Sequence, residues 1–187
     1  MQATKFQVKL YASGSEVDLD KLIPVFHEWI REKKIDDELL IDVADYAHVP
    51  QGPGVVLIGH QSDYYLDMAD DRPGLLYSRK RGIDGDLPAK VNDAFRRALL
   101  VCDLLEKEDP LGLKFGTGEA LFRVQDRLAA PNDQATFDAF MPLLESTAKT
   151  IFGGDVTIER VGTERDPFSV KITTTGDSGI SEALARS

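Results

Sequence analysis

Residues 38–67 read ELLIDVADYAHVPQGPGVVLIGHQSDYYLD, and the pairing of their apolar runs decides the fold. GVVLIG, residues 54–59, is apolar between two glycines and too short for a helix, which predicts an inner strand covered on both faces. ELLIDVADY, residues 38–46, is a second strand candidate, and PQGPG between them has the composition of a turn. The two strands then form an antiparallel hairpin, 39–47 against 55–60. That register puts His48 at the turn and His60 opposite Asp42, so at ~3.3 Å per residue the two histidines stand about 20 Å apart. DYYLD and GLLYSRK, separated by MADDRP, predict a further hairpin at 63–67 and 74–80.

Outward from this stretch, KFQVKLY alternates Phe6, Val8 and Leu10 with Lys5, Gln7 and Lys9, the period of a strand with one wet face. After the turn ASGSEVD, Leu19, Leu22, Ile23, Phe26 and Ile30 recur at helical spacing behind Asp18. A long helix runs from about Leu87 to Lys107, capped by Asp86, with Cys102 on its apolar stripe. EALFRVQD is an alternating strand. A helix over 136–152 follows, with Phe140 and Leu144 inward, and then the strands DVTIERV and FSVKITT. Residues 176–187 carry too little apolar content to pack and predict a loose tail.

Phe6-x-Val8 recurs as Phe122-x-Val124, Pro24 as Pro142, and Ile41 as Ile158, at a nearly constant offset. The spacing predicts a pseudo-repeat of 5–59 in 121–174, with a connecting hairpin and helix over 60–110. The expected class is α+β: one domain over 1–175 holding two ferredoxin-like βαββ units in a mostly antiparallel sheet, with helices on one side. Phe26, Ile58, Phe95, Phe140 and Ile158 are the expected core.

With 42% hydrophobic and 29% charged residues, 187 residues suffice to bury about 70% of the unfolded surface. The formal net charge of −10 disfavours phosphate-backbone binding, so nucleic acid is not an expected partner. No segment has the length and apolarity of a signal peptide or a membrane span, and the single cysteine cannot form an internal disulfide; the expected location is cytoplasmic.

Ligand-binding candidates are Asp42, His60, Asp63, Tyr65 and Arg79. A carboxylate beside His60 would orient its imidazole and raise its pKa, the arrangement a general base needs. His48 and His60 stand too far apart to share a metal, the glycines lack the spacing of a phosphate loop, and no serine or cysteine has the context of a nucleophile. No metal or cofactor is therefore expected. Two readings remain open: a noncatalytic module that binds a small molecule or protein, with homodimerisation through sheet edges or helix backs, and a small hydrolase or lyase using His60 with Asp42 or Asp63.

Overall fold

Alternation in the first strand sets the layering of the molecule. Phe6, Val8 and Leu10 are fully buried against helices, while Gln7, Lys9 and Tyr11 point to the opposite face of the sheet. The structure is a computed structural model that describes residues 3–13, 17–82, 84–176 and 178–187. Residues 14–16 of the expected turn ASGSEVD lie outside the described residues. In chain order the elements are β1 (Phe6–Ala12), α1 (Leu22–Glu32), β2 (Leu40–Tyr46), β3 (Gly54–Gly59), β4 (Ser62–Asp67), β5 (Gly74–Arg79), α2 (Leu87–Glu106), β6 (Phe115–Val124), α3 (Gln134–Phe152), β7 (Val156–Val161), β8 (Phe168–Thr174) and α4 (Ile180–Arg186). The fold is α+β, with one eight-stranded antiparallel sheet in the order β2-β3-β4-β5-β1-β6-β8-β7.

The helices pack on one face. Beneath the middle of the sheet the core is aromatic: Phe122 lies against Phe6, Phe95 and Phe140, and Phe140 stacks on Phe168 with ring centroids 5.2 Å apart. α2 begins where Asp86 accepts a hydrogen bond from the Ala89 N–H, and α3 begins with the same device at Asp133. Under the β2 end, α1 contributes Leu22, Phe26 and Trp29, and the Trp29 indole donates to Glu108 at 2.8 Å. Among the described residues, no helix is long and apolar enough to cross a membrane.

Four expectations are corrected. First, the hairpin of β2 and β3 forms, but Ile41 is an extra residue in β2, and Asp42 opposes Ile58 instead of His60. Second, β3 is inner in the ladder yet covered by helices on one face only. Ile58 therefore lies half-buried on the open face, whereas Phe26, Phe95, Phe140 and Ile158 are in the core. Third, the strand order of 5–59 and 121–174 differs: β8 pairs directly with β6, but β4 and β5 stand between β3 and β1. The hairpin expected as a connection occupies the place that strict equivalence would assign to β3. Fourth, residues 180–186 form α4 where a tail was expected. Ile180 and Ala183, one helical turn apart, are enough to seat it on α2 and α3, and the Ser181 hydroxyl binds Asp103.

Candidate functional site

Of the five candidate residues, Asp42, Asp63 and Tyr65 face the open side of the sheet. A ladder row runs Asp42, Ile58, Asp63, Ser78, Gln7, Arg123, Ser169. Asp63 is paired with Lys80 at 2.7 Å, and the Tyr65 hydroxyl reaches it with a long contact of 3.5 Å. Burial and then the Asp63 charge push the Tyr65 phenol up to about 12, so it remains a neutral donor at ordinary pH.

His60 sits exposed in the two-residue turn between β3 and β4. The turn is tight because Gly59 lies where a Cβ would come 2.5 Å from the Ser62 carbonyl oxygen and 2.8 Å from Glu38 Oε1. The bonds of His60 run through its backbone: its N–H donates to the Leu39 carbonyl and its carbonyl accepts from Arg81. Asp42 Oδ1 accepts from the Val43 N–H and Asp63 is held by Lys80, so neither carboxylate is spent on the imidazole. The basic run after β5 clasps the same turn, with Arg79 donating to Gln61 Oε1 and to the Arg81 carbonyl.

Arg79 ends a polar cluster on the helix side of the sheet. Ser62 donates to Tyr77 at 3.2 Å, and Tyr64 and Tyr77 lie with ring centroids 5.6 Å apart. Arg97 reaches the same region from α2, held by Asp93 at 3.0 Å. Burial raises the phenol pKa of both tyrosines, so they too stay neutral. Tyr64 Oη, Glu38 Oε2 and Arg79 Nη1 find no hydrogen-bond partner among the described residues. Among the described residues, no three His, Cys, Asp or Glu side chains are grouped to hold a metal ion.

Most of the open face is internally satisfied. Lys9, only 4% exposed, is paired with Asp67 at 2.6 Å, and Arg72 lies over the Tyr11 ring and binds Glu119 at 2.8 Å. Gln7 donates to Ser78, while Arg123 donates to Gln7 and Ser169. A polar face paired within itself suits contact with water.

The β2 edge is different. Five large apolar side chains are exposed among the described residues, and four lie between positions 39 and 49: Leu39 at 65%, Ile41 at 53%, Tyr46 at 44% and Val49 at 39%. β2 pairs only with β3, so alternate N–H and C=O groups along its outer side are left without a strand partner. Local carboxylates fill in, Asp42 for the Val43 N–H and Asp45 for the Ala47 N–H, both at 2.8 Å. Among the described residues, Asp36, Asp37, Asp42 and Asp45 stand outside every ion pair.

Motif and spacing reasoning misses this surface, although the sequence carries a signal for it. Residues 35–71 contain nine Asp or Glu and neither Lys nor Arg, so this segment is strongly acidic in a chain whose net charge is −10. Compared with protein families, with curated proteins and with solved structures, the chain finds no match in any of the three.

Proposed function

We propose that the protein is a noncatalytic binding module whose working surface is the β2 end of the sheet, and that its partner is another protein. The observation that carries this reading is the concentration of exposed apolar side chains, from Leu39 to Val49, along an uncovered strand edge. Exposed apolar residues scattered singly are ordinary; four within eleven positions, beside unpaired backbone, mark an interaction surface. The hydrolase or lyase reading has less support, since His60 is exposed and its carboxylate neighbours are engaged elsewhere.

The test is site-specific photo-cross-linking in the cells that make the protein. A photoreactive residue at Ile41 should give discrete adducts, and one at Thr157, exposed on the opposite edge strand, should give none. The adduct is identified by mass spectrometry, and the purified partner should bind wild type more tightly than an Ile41→Asp variant. Equal labelling at both positions, or none at Ile41, overturns the reading.

A further inference from the structure

We infer that β2 accepts an added strand: an extended segment of a partner protein, bearing Lys or Arg, pairs along its outer edge and becomes the ninth strand of the sheet. The inference rests on the protein-binding reading above and adds to it the geometry and the chemistry of the partner.

The geometry comes from the edge itself. Beyond the extra residue at Ile41, the run from Asp42 to Tyr46 keeps regular register with β3, which leaves a straight ladder five residues long for a newcomer. Neither Lys nor Pro, the residues that commonly guard an edge, occurs in LIDVADY. One N–H of this stretch, that of Val43, is satisfied by the neighbouring Asp42 carboxylate, while Asp45 binds the Ala47 N–H in the turn just beyond the strand. An incoming backbone supplies carbonyl oxygens to such an edge, which releases Asp42 to receive a cation. Asp42 thus holds the free edge and recognises its occupant.

Charge decides between occupants. An antiparallel pair of β2 strands from two copies would bring together two edges that each carry Asp42 and Asp45 and no cation, and each chain brings a net charge of −10. Like charges opposed across a ladder are destabilising, whereas Lys or Arg in the same places is attracted to them. Leu39, Ile41 and Tyr46 give apolar contacts to the intervening side chains of the segment.

The probes are four synthetic heptapeptides: one alternating Lys and Val, its Glu and Val counterpart, and two forms of the first N-methylated along one edge or the other. Binding is followed by amide chemical shifts and hydrogen exchange of the isotope-labelled full chain. The Lys–Val peptide should bind saturably, slow amide exchange along Asp42–Tyr46 and shift little on the β7 edge; the Glu–Val peptide should not bind. Methylation of one edge should abolish binding, and methylation of the other should leave it intact, because an edge strand offers its partner a single row of hydrogen bonds.

Asp42→Lys with Asp45→Lys, two exposed changes on opposite faces, should weaken the Lys–Val peptide about tenfold or more, as the carboxylate on whichever face the Lys row takes becomes repulsive. Equal binding of both methylated forms overturns strand addition, as does failure of the Lys–Val peptide to bind or a concentration-dependent dimer that protects β2. Ile41 cross-links obtained together with any of these failures leave the protein-binding reading standing and remove only the added strand.

Discussion

At the β7 edge of the sheet, the connection between β6 and α3 folds back over the strand. Asn132, buried, donates from its side-chain amide to the Val161 and Thr163 carbonyls, and Arg160 donates to the Asn132 carbonyl at 2.9 Å. Pro131 bridges to Pro167 beside it. The β2 edge is reached in the same way, by a strand, a crossing helix and an outer strand, but among the described residues no side chain from another element clamps it; Asp42 bonds the Val43 N–H and Asp45 the Ala47 N–H just beyond the strand. The exposed faces differ in kind as well, with Thr157, Glu159 and Arg160 on β7 against Leu39, Ile41 and Tyr46 at β2. Edges made by similar crossovers can thus be finished in opposite ways. One is clamped at its end by a connection from elsewhere in the fold, and the other is left open.

The comparison breaks if the β7 end is not the stabilised one. Phe140→Ala removes a fully buried ring from between Phe122 and Phe168 and should cost about 3–5 kcal/mol, read as a lowered urea midpoint. Asn132→Ala leaves two carbonyls without their donor and should cost about 1–3 kcal/mol, with faster amide exchange confined to β7 and its flanks. An Asn132→Ala variant with wild-type stability and exchange would show that the clamp is ornamental.

The β2 edge should behave in the opposite sense. Ile41→Lys changes a side chain that is more than half exposed and should stay within about 0.5 kcal/mol of wild type in the same urea titration. A large loss there would make the exposed apolar row structural and remove the contrast between the edges.

The smallest effect concerns acid. The Thr136 N–H and hydroxyl hold the Asp133 carboxyl below its ordinary 3.8, and Thr163 does the same for Asp166, both at the β7 end. A depressed native pKa adds stability that is complete above 3.8 and is lost as pH falls through the lowered native value. Asp133→Asn keeps a cap but not the charge, so its melting temperature should fall less steeply below pH 3.8 than that of wild type. Parallel curves would assign the acid sensitivity elsewhere.

Local periodicity was enough to read most elements of this fold. Phe6, Val8 and Leu10 name a buried face by themselves, and Asp86 and Asp133 announce the helices that follow them. The order of strands was not readable, because apolar spacing identifies a strand and not its neighbours. Nothing in GVVLIG says that β4 and β5 separate it from β1, and nothing in LIDVADY says that it ends the sheet. The turn pairs Tyr46 with Gly54, two residues short of the expected register, and that offset alone puts Asp42 opposite Ile58 and away from His60. For the site, Asp42, Asp63 and Tyr65 share a face as alternation implies, whereas the apolar edge beside them becomes visible only once β2 is known to lack an outer partner. The tail failed for another reason: two apolar residues one turn apart are a weak signal until α2 and α3 supply a groove for them.

The placing of β1 and β6 side by side also has a temporal consequence. Phe6 pairs with Val124, so this inner ladder joins segments separated by most of the chain and cannot close during synthesis until β6 has emerged. Through that interval the nascent β1 is itself a sheet edge, able to pair with β5 alone. Lys5, exposed just before the strand, then places an ammonium group beside the unfinished side, while Lys9 is engaged by Asp67 of β4. The strand that must wait for its partner carries the protection against stray pairing that β2 goes without.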